Sequence, residues 1–371
     1  MTVKPIGKEF VQDSNQAFVL HPGGSFTFEE RCIPTLQSDR DIIVRIVATG
    51  LCGSDIHYWQ HGAIGRYVVE KPIILGHESS GIVVECGDRV EGFAVGDRVV
   101  LEPGSTCNTC RHCRSGRYNL CQAVRFAATP PYDGTLATYY RVPQECCYKL
   151  PSHVSLRDGT LVEPLSVAIH SALQAGSMQE RSVAVFGAGP VGLLCSTVAR
   201  ALGAATVAVV DIVPSRLAFA LEHGATHTYQ MNSKSPEENA AALLDTTGVQ
   251  AGFDIVLDAT GAEPCVNCGI YALTQGGSFV QIGLGKPNLS IPVGQICDKE
   301  ISFKGSFRYG PGDFQLAIGL LNSRRVKLGG LVTHEYSFLA AEDGFKNVAG
   351  RSGIKTVIYG PGFDTETARD L

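Results

Sequence analysis

Through roughly the first 160 residues, apolar positions come in short β-branched runs such as Asp41–Ala48 (DIIVRIVA), Gly81–Glu85 and Asp97–Leu101, several bounded by glycine-containing turns. Runs of that length predict strands rather than helices. The texture changes at about Ser182. There SVAVF leads into GAGPVGLLCSTVARALG, where Val191, Leu194, Cys195, Val198 and Leu202 fall at helical spacing and Gly203 stands where a helix C-cap belongs. A strand (TVAVV), a helix from Pro214 to near Gly224, a helix through Glu237–Leu244, a strand (FDIVLD), a helix (Glu263–Leu273) and a strand (SFVQIG) follow. This alternation predicts right-handed βαβ crossovers and a parallel sheet. After about Lys304 the pattern predicts a helix (Phe314–Leu321), a strand (Leu331–Phe338), a helix (Ala340–Ala349) and a strand (Ile354–Tyr359). Periodicity alone leaves open which sheet this tail joins.

The 371 residues correspond to two or three domains at roughly 150 residues each. At 44% apolar and 18% charged, the chain can fill sizeable cores and does not have the composition of a disordered one. The 31 basic and 36 acidic residues leave a charge of −5, without the basic surface a nucleic-acid partner requires. The longest uncharged apolar stretch, residues 183–199, contains Gly187, Gly189, Pro190 and Gly192 near its start. It reads as a buried strand–turn–helix, not a membrane span. Lys4, Lys8, Glu9 and Asp13 occupy the stretch where a secretory signal needs an apolar core. The thirteen cysteines are therefore expected to be reduced, and the protein soluble and cytoplasmic.

Gly187-Ala188-Gly189-Pro190-Val191-Gly192 matches G-x-G-x-x-G between a predicted strand and a predicted helix, the context a dinucleotide site requires. Gly187 permits the tight turn, Gly189 lets the backbone approach a pyrophosphate, and Gly192 permits close helix–strand packing. The helix opened by Pro190 and Val191 turns its N-terminus toward the phosphate charge. Asp211, at the end of the next strand, is placed to accept hydrogen bonds from ribose hydroxyls and to repel a 2′-phosphate, which favours NAD over NADP. Arg216 is the counterweight: a guanidinium can pair with a phosphate, and can equally stack on adenine or lie in solvent.

Cys107, Cys110, Cys113 and Cys121 lie in CNTCRHCRSGRYNLC. The spacing C-x2-C-x2-C-x7-C can bring four thiolates onto one tetrahedral Zn²⁺, and a closed four-cysteine shell is structural. Two disulfides or free thiols are the alternatives. Other chemistry-bearing residues are dispersed: Cys52 in Gly50-Leu51-Cys52-Gly53-Ser54-Asp55, His77 and Glu78 side by side, and Glu163 in the apolar stretch TLVEPLSVAI. None of these is diagnostic by itself.

Taken together, CGSD, GHESSGIVVECGDRV, the four-cysteine segment, VEPLSVA, GAGPVG, Asp211 and GSFRYG resemble, in order, the zinc-dependent medium-chain dehydrogenases/reductases. HYWQHGAIG, FAATPPYDGTLA and GSFRYG are most similar to the polyol dehydrogenase branch, above all the fungal xylitol dehydrogenases. The resemblance implies an α/β protein with a β-rich, GroES-like catalytic domain (1–164 and 305–371) and a Rossmann NAD-binding domain (165–304), the cofactor lying in the cleft between them. It implies a catalytic zinc held by Cys52, His77 and Glu78, with water in the fourth position. Glu163 would face that zinc as an alternate ligand or as a hydrogen-bond partner of the water. It extends the cofactor site to Ile282, Gly283, Leu284, Ser306, Phe307 and Arg308. It also implies a homotetramer acting on a small polyol, with no nucleic-acid or membrane partner.

A Lewis acid lets a secondary alcohol lose its proton near neutral pH before hydride passes to nicotinamide. By resemblance, Ser54 and His57 relay that proton; ordinary turn hydrogen bonding is the alternative. Tyr58, Glu163, Arg308 and Tyr309 match the branch's substrate contacts, with Phe126 as an apolar wall; packing is the alternative for each. Sorbitol, L-arabinitol or L-threonine oxidation, or a non-catalytic role on the same fold, are rival readings. Cys265-x-x-Cys268 imitates a redox motif but falls in a predicted helix. With Cys146, Cys147, Cys32, Cys86, Cys195 and Cys297 it reads as apolar filler.

Overall fold

The computed structural model describes residues 13–368; Lys4, Lys8 and Glu9, which argue against a secretory signal, lie outside the described residues. The chain folds into two compact units, Met1–Glu163 with Lys327–Leu371, and Pro164–Val326.

The first unit is built on the strand Asp41–Gly50, buried at every position. Such a strand must be covered on both faces and reads as an unbroken apolar run. It pairs antiparallel with Glu78–Cys86, Tyr139–Pro143 and Lys355–Tyr359. Arg98–Leu101 and Cys147–Lys149 extend the sheet on one side, and Val332–Tyr336 on the other. One core cluster gathers Ile42, Val44, Ile46, Val83, Val99 and Leu101 from these strands. A second combines Phe18, Leu20, Ile74, Tyr58 and Phe345.

The second unit carries a six-stranded sheet in the order His227–Gln230, Thr206–Asp211, Ser182–Phe186, Phe253–Asp258, Leu273–Gln281, Ser302–Gly305. Every pairing in it is parallel. This is the doubly wound 3-2-1-4-5-6 order, whose switch point falls beside the strand that precedes the glycine loop. The uncharged stretch at 183–199 resolves into the strand Ser182–Phe186 and the helix Pro190–Ala201. Among the described residues no helix is long and apolar enough to cross a membrane.

The tail departs from expectation. Its strands Val332–Tyr336 and Lys355–Tyr359 join the first unit's sheet, but residues 305–326 belong to the second unit. The reason is local. Ser302–Gly305 adds to the parallel sheet as its edge strand, and the chain stays with that unit through the helix Asp313–Asn322.

Candidate active site

The strand Asp41–Gly50 and the strand Glu78–Cys86 pair so that Gly50 stands directly opposite Glu78. Two residues past Gly50 the chain reaches Cys52, the N-cap of the helix Gly53–His61. This register sets the Cys52 turn beside His77 and Glu78. The Sγ, an imidazole nitrogen and a carboxylate oxygen of the three all lie within 4.8 Å of one another, with His77 and Glu78 buried. A thiol, an imidazole and a carboxylate in such reach fit a tetrahedral Zn²⁺ with one position left open.

Two residues that the motif reading left without a role complete this centre. Asp55 is fully buried, and its Oδ2 accepts the Cys52 N–H at 2.9 Å. Its Oδ1 accepts the Gly76 N–H at 3.0 Å and lies 3.6 Å from His77 Nδ1. Burial pushes the Asp55 carboxyl up, but the His77 charge and these hydrogen bonds outweigh it and hold the group below its ordinary value. One carboxylate thus ties together both chain segments that carry donors. Orienting groups of this kind fix a ligating imidazole.

Lys355, from the returning tail, forms a buried ion pair with Glu78 Oε2. Burial disfavours its charge, but Glu78, Cys52 and Glu163 reverse that and raise its pKa. The pair fits only because position 50 is glycine: a Cβ there would lie 2.3 Å from Glu78 Oε2 and 2.9 Å from Lys355 Cε. Glu163 is buried in the first turn of the helix Val162–Ala175. It stands outside the three-donor group, although its charge reaches Lys355.

The remaining expected residues of this unit fall in different settings. Phe126 is buried, its ring centroid 5.8 Å from that of His77. Tyr58 is buried on the same helix as the half-buried Ser54. His57 is exposed, with Nδ1 3.0 Å from Ala63 O and its ring 4.4 Å from that of His61.

The four-cysteine segment folds on itself. Sγ–Sγ separations are 3.5 Å for Cys110–Cys113, 3.5 Å for Cys107–Cys121 and 3.9 Å for Cys107–Cys113. A regular tetrahedron with Zn–S near 2.3 Å has edges of about 3.8 Å, so the cluster has the size of a zinc shell. The separations are far beyond a disulfide's, and all thirteen cysteines are free thiols. Backbone N–H groups of Thr109 and Cys110 pull the Cys107 thiol down to about 6, while burial and the Cys110 thiol push Cys113 up to about 11. Cys268 and Cys195 are buried as expected of fillers; Cys32 and Cys297 are exposed and are not.

In the second unit, Gly187 takes a φ of +96° at the end of its strand, and Gly189 caps the helix that Pro190 and Val191 open. A Cβ on Gly192 would sit 1.7 Å from the Gly187 carbonyl oxygen, so the turn closes only on glycine, whereas one on Gly189 would meet nothing within 4 Å. That open face is where a pyrophosphate would approach. Asp211 accepts the Ala188 N–H at 2.7 Å on Oδ2 and the Val213 N–H at 2.9 Å on Oδ1. It is therefore anchored to the glycine loop while keeping lone pairs for other donors. Arg216 is half-buried in the helix Pro214–Glu222.

The Ile282 and Gly283 N–H groups both donate to Asp258 O at 2.9 Å, and Leu284 is 87% exposed. Asp258, missed in the motif reading, is buried and also accepts from Thr260, Gly261 and Gln281, locking the two loops beside the switch point. Ser306, Phe307 and Arg308 follow the edge strand, Phe307 exposed and Arg308 half-buried. Tyr309 is buried with its ring edge-on to Phe314 at 4.9 Å.

Residues 38–152 match the alcohol dehydrogenase GroES-like domain, and residues 190–323 match the zinc-binding dehydrogenase family. The chain belongs to the zinc-dependent medium-chain dehydrogenases/reductases. It is 50% identical over 346 residues to the probable D-xylulose reductase A of Neosartorya fischeri, covering 93% of this chain and 97% of that one. The probable D-xylulose reductase A of Aspergillus fumigatus is 48% identical over 355 residues, covering 96% and 99%. Among solved structures, Escherichia coli L-idonate 5-dehydrogenase aligns with a TM-score of 0.85 at 28% identity, covering 93% of this chain and 98% of that one.

Proposed function

We propose that this chain is a zinc- and NAD-dependent polyol dehydrogenase whose reaction is xylitol + NAD⁺ → D-xylulose + NADH + H⁺. The observation that carries the reading is the thiol–imidazole–carboxylate group of Cys52, His77 and Glu78, in a chain about half identical to proteins named D-xylulose reductase. Bound Zn²⁺ supplies the Lewis acidity that brings an alcohol's pKa toward neutrality, and NAD supplies the hydride acceptor.

The chain's own residues do the rest. Cys52, His77 and Glu78 hold the ion, Asp55 fixes the turn and the imidazole, and Lys355 balances the Glu78 charge. Glu163, outside the three-donor group, would accept a hydrogen bond from the polyol hydroxyl. Phe126 excludes water on the His77 side. Ser54 receives the released proton and His57, open to solvent, passes it out. Tyr58, Glu163, Arg308 and Tyr309 offer the polar partners that offset desolvation of a polyol. On the second unit the glycine loop receives the pyrophosphate and Asp211 the ribose hydroxyls, with Ile282, Gly283, Leu284, Ser306 and Phe307 lining the cofactor and Arg216 beside the adenosine. We also assign cytoplasmic residence and a homotetramer to this enzyme, with no nucleic-acid or membrane partner.

The test is NAD⁺ reduction across xylitol, sorbitol, L-arabinitol and L-threonine, with zinc content measured on the same sample. Preferred turnover of xylitol with both metal sites filled is expected. Full-rate NAD⁺ reduction by protein with no ion at Cys52, His77 and Glu78 would sink the proposal; preference for sorbitol would move the substrate within the class.

A further inference from the structure

Arg308 has a φ of 57°, a left-handed backbone that a residue with a side chain holds only when its surroundings impose it. The segment that carries Arg308 is gripped at three places by the helix Val162–Ala175. Lys304 Nζ donates to Gln174 O at 2.9 Å, and Ser171 Oγ lies 3.0 Å from Ser306 Oγ. Past them, His170 Nδ1 stands 2.8 Å from Asp313 Oδ2, the same oxygen that accepts the Gly310 N–H at 2.6 Å. The two side chains are only 12% and 4% exposed.

Gln174 Nε2 lies 3.4 Å from His170 Nε2. A neutral imidazole satisfies both neighbours, donating from Nδ1 to Asp313 and accepting at Nε2 from the Gln174 amide. The loop from Ser306 to Gly310 is thus fastened at its start by Ser171 and at its end by the His170–Asp313 couple.

We propose that His170 and Asp313 are positioning residues that lock the Ser306–Gly310 loop, and with it Arg308, in the geometry that binds the polyol. This rests on the reading of Arg308 as a substrate contact. The two amide replacements of His170 separate position from bulk: asparagine keeps an N–H near Nδ1, whereas glutamine reaches the Nε2 position and leaves Asp313 without its donor.

His170→Gln should raise the xylitol KM by about tenfold, the loss of one charge-assisted hydrogen bond, with a smaller change in NAD⁺ Kd. His170→Asn should recover most of it. Amide hydrogen exchange in 306–313 should quicken in His170→Gln only. In an Arg308→Ala background, His170→Gln should add little, because residues acting through one another are non-additive. Unchanged KM in His170→Gln, or full additivity with Arg308→Ala, overturns the positioning role and leaves the substrate reading intact. Unchanged KM in Arg308→Ala itself overturns that reading and the positioning role with it.

Discussion

Lys355→Met removes the cation facing Glu78, at a site where the two side chains are 3% and 2% exposed. Stranding one charge of a buried pair costs about 3–5 kcal/mol. That cost should appear only when nothing else neutralises Glu78. With Zn²⁺ on Glu78, what remains is a near volume-conserving swap costing less than about 1.5 kcal/mol. The destabilisation should therefore be larger in chelator than in zinc, by roughly 2 kcal/mol or more. Trp59, the only tryptophan, reports the first unit selectively. Its Nε1 donates to Gly24 O at 2.9 Å and its ring packs on Phe26 at 5.5 Å and Phe345 at 6.0 Å. Urea unfolding followed by its emission avoids treating a two-unit chain as one transition. Stripping the four-cysteine site affects wild type and variant alike and cancels in the comparison. Adding Glu78→Gln to Lys355→Met should restore most of the loss in chelator, since both charges are then gone. An equal loss with and without zinc, or no recovery in the double variant, would refute the reasoning.

Cys52→Ser should abolish turnover while NAD binding and the urea midpoint stay close to wild type; global unfolding would make Cys52 a structural residue. Asp211→Asn should lower the NAD/NADP ratio of kcat/KM by about tenfold, one charge–phosphate repulsion, and an unchanged ratio would refute the ribose assignment. Gly192→Ala drives a Cβ to 1.7 Å from the Gly187 oxygen. It should abolish NADH binding, measured by fluorescence, while the Trp59-reported transition of the first unit is kept. Asp254 is held below its ordinary 3.8: burial raises it, but the Ser182 amide and hydroxyl and Arg181 outweigh that. Its stabilisation of the second unit is thus present above 3.8 and lost as pH falls below it, so Asp254→Asn should flatten that part of an acid titration followed by circular dichroism.

The four-cysteine lobe was legible because its donors are local: a tetrahedral shell closes within one short segment, and spacing alone reports it. The glycine loop was legible for a similar reason, since a turn between strand and helix is a local event. The tail was not. Whether Ser302–Gly305 adds to the parallel sheet or the chain leaves it there depends on an open strand edge, which no periodicity records. The exposure of Cys32 and Cys297 was equally out of reach, because a lone cysteine in a polar neighbourhood carries no burial signal.

The dispersed centre shows where single-sequence reasoning stops. Cys52, His77 and Glu78 become one donor set through strand register, Gly50 opposite Glu78, and only resemblance grouped them beforehand. Their supports were harder still. Asp55 sits in the CGSD turn where a carboxylate at the third helical position reads as a capping residue, and it does cap, accepting the Cys52 N–H. Its second oxygen serves Gly76 and His77, a use that appears only once the second segment is beside it. Lys355, in RSGIKTVIY, has the look of an ordinary solvated lysine at a strand's start. It is buried because the tail strand lies against Asp41–Gly50, and it is tolerated because Glu78 waits there and Gly50 has no side chain. The glycine is the one trace that a sequence could have offered: in a strand buried at every position, a residue that adds no packing marks a place where something else must fit.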